Sequence, residues 1–194
     1  DIRREDVKRR VAQTTDWPTG KYRVIYADPP WQYSNNISAD KFDDSRLHYP
    51  TMPLADICAL PVRDLALENA VLFLWVTSPM LEDSFKVMSA WGFSYKSAFV
   101  WDKVKQNMGL YNSVRHELLL VAVKGSCQPD SNLRPDSVQE IERTEHSKKP
   151  EEFRKIIDSL YPYGPRGELF GREQHDGWIV WGNQVAEAQS VSPG

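Results

Sequence analysis

Apolar runs of strand length alternate along the chain with segments whose apolar residues recur at helical spacing. The strand-like runs lie at residues 22–27, 70–76, 94–101, 117–123, 166–170 and 178–181. The helix-like segments lie at residues 53–60, 79–91 and 150–160. The first two runs are almost continuously apolar, which is typical of strands covered on both faces. This alternation predicts an α/β domain with a mainly parallel central sheet and helices on both faces.

Polar, aperiodic stretches separate these elements and are predicted to be loops. They cover residues 32–50, 103–115 and 125–147. Loops of this length inside a compact domain are usually either functional or disordered. Each of two predicted helices has an apolar face that we expect to be buried. In the helix over residues 79–91 this face is formed by Leu81, Phe85 and Met88, with Trp91 as a further candidate. In the helix over residues 150–160 it is formed by Phe153, Ile156, Ile157 and Leu160.

The length of 194 residues suggests one domain with small appendages. We expect a helical extension over residues 1–20, a main domain over 21–185 and a flexible tail over 186–194. Hydrophobic residues make up 41% and charged residues 26%, which fits a folded domain and argues against disorder. No apolar run approaches the roughly 20 residues of a membrane span, so we expect no membrane partner.

The net charge of −3 excludes a basic field over the whole protein as the means of attracting nucleic acid. Nucleic-acid binding would therefore need a local basic patch. The N-terminal extension contains one basic cluster, formed by Arg3, Arg4, Lys8, Arg9 and Arg10. A solvated helix face accounts for the same charges, and both interpretations stay open.

The cysteines and histidines suggest neither a disulfide nor a metal site. Cys58 and Cys127 are the only cysteines, and their spacing does not indicate a pair. This usage favours a reducing, intracellular location, which is the cytoplasm in a prokaryote or for a phage protein. The four histidines do not show the spacing of metal ligands, so we expect no metal.

The tetrapeptide at residues 28–31, DPPW, carries the most chemical information in the chain. Asp28 follows a buried strand, and the prolines that come next fix the backbone and lack N–H groups, which leaves their carbonyls free to accept. A carboxylate and a carbonyl suit the two N–H donors of an amine, and Trp31 beside them suits a planar base. A pocket for the exocyclic amine of a base and a proline-stiffened turn with a buried tryptophan explain the tetrapeptide equally well.

Further segments extend this pattern in a fixed order. They are LHYPTM at 47–52, LFLWVT at 72–77, LLVAVKG at 119–125, SKKP at 147–150, ELFGR at 168–172, Trp178, and WGNQ at 181–184. Together with DPPW, and over roughly residues 20–185, they resemble the MT-A70-type adenine-N6 methyltransferases. This family includes the eukaryotic mRNA adenosine methyltransferase and many bacterial and phage enzymes.

The resemblance implies a Rossmann-like methyltransferase domain that binds S-adenosylmethionine, although the chain has no G-x-G-x-x-G loop. It implies that Asp28, Pro29, Pro30 and Trp31 are catalytic and that Asp28 also touches the cofactor's amino group. The other implied cofactor residues are Lys149, Phe170, Arg172, Asn183 and Gln184. Each of the last four also has a structural alternative: core packing for Phe170, a salt bridge for Arg172, and a strand-end cap for the amides.

On the acceptor side, the resemblance implies base contacts from Trp31, Tyr49 and Glu117, with a structural role as the alternative for the last two. The expected reaction is methyl transfer to the N6 amine of adenine in nucleic acid. DNA is favoured over RNA because the chain is compact and lacks an attached RNA-binding module. An inactive nucleic-acid-binding member is the alternative, and the intact motifs argue against it. A homodimer or a partner subunit is compatible with the sequence.

Overall fold

In the computed structural model, the described part of the chain comprises Ile2 and residues 17–33, 51–144 and 148–182. Most of the predicted N-terminal extension and all of the predicted tail at 186–194 lie outside these residues. Seven strands within these described residues form one sheet. They are β1 (Tyr22–Ala27), β2 (Ala66–Val76), β3 (Ser94–Met108), β4 (Ser113–Lys124), β5 (Val138–Glu140), β6 (Arg166–Leu169) and β7 (Ile179–Trp181).

The strand order in the sheet is β5-β3-β4-β2-β1-β6-β7. The pairs β1–β2, β1–β6, β6–β7 and β3–β5 are parallel, whereas β4 is antiparallel to both of its neighbours. Every described strand except β4 therefore points the same way. The predicted α/β fold with a mainly parallel sheet is confirmed.

Helices cover both faces of the sheet. They are α1 (Leu54–Ala59), α2 (Val62–Leu65), α3 (Leu81–Ala90) and α4 (Glu151–Leu160). Ile25 of β1 packs in a core that includes Ile57 and Val87 from the first and third helices. Val24, the neighbouring residue, packs with Phe153 of α4 on the opposite face. Successive side chains of a strand point to opposite faces, so the apolar run of β1 serves two cores at once.

Helix α4 begins directly after Pro150 and presents an apolar stripe to the sheet. Phe153, Ile157 and Leu160 are buried at helical spacing. Glu151 at the start of the helix has the charge that the helix dipole favours. The sequence predicted this helix and its buried face. Among the described residues, no helix is both long enough and apolar enough to span a membrane.

Two of the predicted loops contain regular structure. Most of the stretch at 103–115 belongs to a hairpin, because β3 continues to Met108 and β4 begins at Ser113. The stretch at 125–147 contains β5. The loop prediction failed because these strands pair through backbone groups while most of their side chains face solvent, so no apolar alternation marks them.

The buried face of helix α3 agrees with the predicted one only in part, because Met88 and Trp91 are buried and Phe85 is not. Val87 and Met88 are buried as expected of a helix on the sheet, but Phe85 is 45% exposed and packs at the surface against Tyr95. Ser84 takes the buried position and donates its hydroxyl to the Leu81 carbonyl at 2.6 Å. This local hydrogen bond satisfies the hydroxyl and allows a small polar residue to enter the core.

The strand order reverses beside β1. From β1 the chain continues to β2 on one side, whereas β6 and β7 lie on the other side. Ligands of open α/β sheets bind outside the carboxyl ends of the strands at such a switch point. Asp28 follows β1 directly, and Phe170 follows β6 directly.

Candidate active site

Asp28 is fixed at the carboxyl edge of the sheet by its backbone. Its N–H donates to the Leu169 carbonyl of β6 at 3.3 Å, which continues the pairing by one residue. The carbonyls of Pro29 and Pro30 accept from the N–H groups of Trp31 and Met52, both at 2.9 Å. The expectation that these carbonyls are free is therefore wrong for one lone pair of each, although a carbonyl oxygen has a second lone pair.

Trp31 lies in the core and not along the cleft. It is 7% exposed, and its indole N–H donates to the Trp75 carbonyl at 3.0 Å. A ring held in this way cannot stack on a base without leaving the core, so the structure argues against the stacking role expected for Trp31. The tryptophan anchors the turn that carries Asp28. One feature of the alternative interpretation, the proline-stiffened turn with a buried tryptophan, is thus real.

The structure brings two carboxylates and two lysines together beside this turn. Lys149 Nζ lies 3.1 Å from Asp28 Oδ2 and 3.7 Å from Glu117 Oε1. Lys103 Nζ lies 3.0 Å from Glu117 Oε2. Asp28, Glu117, Lys149 and Lys103 are separated widely in sequence, and the four side chains are mostly buried. Asp28 is the most accessible, with 32% of its side chain exposed.

The charges of this cluster shift one another's titration. Burial raises the pKa of Asp28, the Glu117 charge adds to the rise, and Lys149 opposes it. Burial alone would lower the pKa of Lys149, but Asp28 and Glu117 raise it, and the net direction is upward. Lys149 therefore stays protonated and supplies a fixed positive charge next to a carboxylate that is easier to protonate than usual.

A cleft opens between the ends of β1 and β6 and the start of α4. It encloses about 600 Å³ of space, a volume that includes open solvent at its mouth. Its lining includes Ala27, Asp28, Trp75, Lys148, Lys149, Pro150, Glu151, Glu168, Phe170, Gly171, Arg172 and His175. Four of the predicted cofactor residues, Asp28, Lys149, Phe170 and Arg172, thus line one cleft.

The turn after β6 is closely packed. Phe170 has a positive φ of 64°, which is uncommon for a residue other than glycine. Its ring lines the cleft and also meets the ring of Trp181 edge-on at 5.3 Å. The Gly171 N–H donates to the Trp181 carbonyl at 2.9 Å, and a side chain on Gly182 would collide with the Gly171 backbone. The two glycines allow this approach of two backbones.

A buried ion pair in the wall of the cleft was not predicted as part of the site. Arg154 Nη2 lies 2.6 Å from Glu168 Oε2, and the guanidinium rests over the ring of Trp178. Burial raises the pKa of Glu168, and Arg154 opposes that rise. Arg154 lies next to the apolar stripe of α4, where a charged residue is expected in solvent, so spacing alone gives no signal for it.

Tyr49, Asn183 and Gln184 lie outside the described residues, and their roles stay predictions. Within the described ranges, no group of three or more His, Cys, Asp or Glu side chains is placed to hold a metal ion. The cleft suits a ligand that carries both charge signs: Lys149 and Arg172 supply positive charge, and Asp28 and Glu168 supply negative charge. The amino-acid end and the sulfonium of S-adenosylmethionine have this mixed character.

An α/β domain with a charged cleft at its switch point defines a Rossmann-like ligand-binding domain, and sequence comparison gives its family. The MT-A70 family profile matches residues 22–184. The type II methyltransferase M.MunI of a Mycoplasma species is 33% identical over 91% of this chain and 83% of its own length. This chain belongs to the MT-A70 family. The family prediction and the methyltransferase class are confirmed.

Longer eukaryotic proteins match as well. The human N(6)-adenosine-methyltransferase catalytic subunit METTL3 is 28% identical over 90% of this chain. The N(6)-adenosine-methyltransferase MT-A70-like protein of Drosophila melanogaster is 31% identical over 90% of it. The chain spans 30% and 28% of the lengths of these two proteins.

Proposed function

We propose that this protein transfers a methyl group from S-adenosylmethionine to the N6 amine of adenine in nucleic acid, with DNA as the preferred polymer. The observation that carries the proposal is the position of the Asp28 carboxylate, 3.1 Å from Lys149, in the cleft at the switch point of the sheet. The match to the type II methyltransferase M.MunI extends over 83% of that protein's length, whereas the chain spans only 30% and 28% of the two N(6)-adenosine-methyltransferases. We take the more complete match as support for DNA over RNA.

The residues of the cleft suit the two ends of the cofactor. When bound, S-adenosylmethionine supplies an electrophilic methyl group on a positively charged sulfur. Lys149 has three donors. Asp28 lies within hydrogen-bond distance of Nζ at 3.1 Å, whereas Glu117 at 3.7 Å is an ion-pair neighbour, and a further donor suits the cofactor's carboxylate. Phe170 and Arg172 border the cleft where the nucleoside end would lie. Asn183 and Gln184 are proposed to bind the ribose and adenine.

Asp28 and Pro29 prepare the acceptor amine. The lone pair of the adenine N6 atom is delocalised into the ring, which makes the amine a poor nucleophile. Acceptors on both N–H bonds, the carboxylate of Asp28 and the second lone pair of the Pro29 carbonyl, favour a pyramidal nitrogen with a localised lone pair. Holding that nitrogen in line with the cofactor's methyl group, at about 3–3.5 Å, would supply most of the acceleration as the N–C bond forms and the S–C bond breaks. One N–H proton leaves after transfer, through Asp28 to solvent.

A duplex substrate must first release the target base from the stack, at a cost of a few kcal/mol. Because Trp31 is held in the core, we assign base stacking to Tyr49 and contact with the base to Glu117, as the family resemblance implies. A nucleic-acid substrate also places the protein inside the cell, in the cytoplasm for a bacterial or phage protein. A homodimer or a partner subunit would supply surface for the polymer, and we propose neither over the other.

A methyl-transfer assay tests the proposal. The protein is incubated with tritiated S-adenosylmethionine and matched DNA and RNA oligonucleotides, single- and double-stranded, and the nucleosides are separated by mass spectrometry. We expect N6-methyladenine, formed faster in DNA. Faster transfer to RNA would overturn the choice of polymer. The absence of methylated adenine from every substrate, in a protein shown to be folded, would support the inactive alternative.

A further inference from the structure

Glu117 lies between two lysines, each of which lies over a tryptophan ring. Lys149 is 3.7 Å from one carboxylate oxygen, and Lys103 is 3.0 Å from the other. Lys149 Nζ lies 5.5 Å from the ring centre of Trp75, and Lys103 Nζ lies 5.1 Å from that of Trp101. The ring centres of Trp75 and Trp101 are 6.0 Å apart. The family resemblance implied roles for Glu117 and Lys149 and none for Lys103.

An irregularity in the hairpin gives Lys103 its position. Between the pairs Asp102–His116 and Asn107–Val114, β3 has four residues where β4 has one. Bulges of this kind re-aim side chains beside active sites. Val104, inside the irregular segment, has a positive φ of 66°, and its N–H donates to Asp102 Oδ1 at 2.9 Å.

The carboxylate of Asp102 also binds Arg115 of β4 across the hairpin, at 2.6 Å. Asp102 thus connects the segment that carries Lys103 both to the Val104 backbone and to the neighbouring strand.

We propose that Lys103 is a positioning residue that holds Glu117 so that Lys149 stays on Asp28. The inference rests on the proposed function and deepens it. Without Lys103, the buried Glu117 would lose one of its cations and would compete more strongly with Asp28 for Lys149. The competition is direct because Lys149 already lies within 4 Å of both carboxylates.

Among the described residues, several charged or titratable groups lie close to Asp28 or to Glu117. They are Lys149 before α4, Lys103 on β3, Arg172 after β6, Glu168 on β6 and Tyr26 on β1. Lys103 supplies one of the three positive charges among them. Its removal disfavours the ionised acids, so their pKa values rise.

The test uses Lys103→Gln, the charge-conserving Lys103→Arg, and Lys105→Gln as a matched control. Lys105 lies on the same strand, is mostly exposed and pairs with Glu142 instead of Glu117. The first measurement is a pH titration of the side-chain carboxyl ¹³C signals in the ligand-free protein, with Asp28 and Glu117 assigned from Asp28→Asn and Glu117→Gln. The second is the pH profile of kcat/KM for methyl transfer.

Lys103→Gln should raise the pKa values of the Asp28 and Glu117 carboxyl groups and should move the acid limb of the kcat/KM profile up by about one pH unit. We also expect kcat to fall roughly tenfold. Lys103→Arg should restore both, and Lys105→Gln should match the wild type. Unchanged titrations in Lys103→Gln, or equal changes in Lys105→Gln, would overturn the inference. If Lys103→Gln does not fold, titrations that differ between Lys103→Arg and the wild type by a full unit would also overturn it. Shifted titrations in a protein without methyl transfer would refute the proposed function alone.

Discussion

Asp28 stands where the backbone of β1 stops pairing and the cleft begins. Its N–H is used by β6, and its carboxylate, one-third exposed, faces the cleft and Lys149. The next residues hold it there, because Pro29 is buried and Trp31 is bonded to the Trp75 carbonyl. A carboxylate fixed in this way is oriented before any ligand binds, which is the condition for a catalytic acceptor.

Replacing Asp28 should separate catalysis from folding. We expect Asp28→Ala to keep the fold and most of the cofactor affinity but to lower turnover by two or more orders of magnitude, because such acceptors are worth a few kcal/mol. Asp28→Asn should be nearly as poor, since an amide turns one acceptor into a donor facing an N–H. Single-turnover methyl transfer measures the effect, and circular dichroism checks the fold. Near-normal transfer by a folded Asp28→Ala protein would refute the mechanism.

The two neighbouring lysines should differ in their effect on cofactor binding. Lys149 is largely buried against Asp28, whereas Lys148 is about half exposed and lies 3.5 Å from Glu173. We expect Lys149→Ala to weaken S-adenosylmethionine binding ten- to a hundredfold, through one charge-assisted hydrogen bond of about 1.5–3 kcal/mol. Lys148→Ala should change it little. Calorimetric titration measures both variants, and the reverse ranking would exchange the two assignments.

At the scale of the elements, helix α4 joins the core to the cleft. Phe153 and Ile157 bury its stripe against the sheet, while its first turn and the preceding Lys149 line the cleft. The sequence predicted the stripe because its spacing is local. The position of the helix start beside Asp28 depends on the order of the strands, which local spacing does not contain.

Truncating a side chain on the buried face of α4 should lower the stability of the protein. Ile157 is fully buried, whereas Ile156 beside it is only partly so. We expect Ile157→Ala to lower the free energy of unfolding by about 2–5 kcal/mol, the range for deleting buried methyl groups and leaving a cavity. Ile156→Ala should cost clearly less. Urea unfolding followed by fluorescence measures both, and equal losses would contradict the assigned face of α4.

At the scale of the whole molecule, charge must be distributed unevenly if a chain with net charge −3 is to bind a polyanion. Cations of the described hairpin, such as Lys103 and Arg115, are paired with acids. The basic cluster of the N-terminal segment lies outside the described residues. Its role in binding nucleic acid therefore remains a prediction.

Salt dependence tests that role. If the N-terminal cluster contacts phosphates, deleting residues 1–13 should weaken oligonucleotide binding equally across sequences. The log–log salt slope should flatten by nearly one unit for each lost phosphate contact. Changing Arg3, Arg4, Lys8, Arg9 and Arg10 together to Gln should act in the same way and leave cofactor affinity unchanged. Anisotropy titrations at several salt concentrations compare the proteins, and equal slopes would indicate a solvated helix face.

The sequence by itself determined those features that follow from neighbouring residues. The apolar run of β1 and the stripe of α4 are local patterns, and the DPPW motif with its ordered companions was sufficient for the family. The long β3–β4 hairpin was missed because backbone pairing leaves little trace in exposed polar side chains. The chain also gives no local indication that Phe85 is at the surface and Ser84 in the core.

Only the tertiary structure decided which charges meet. The ends of separate strands and a helix bring together four side chains, those of Asp28, Lys103, Glu117 and Lys149. The bulge in β3 positions Lys103. Trp31 likewise lies in the core, where its indole N–H donates to the Trp75 carbonyl at the end of the adjoining strand. Strand order and burial set these contacts, because the strength of a charge pair depends on distance and solvent exclusion, and neither can be obtained from spacing along the chain.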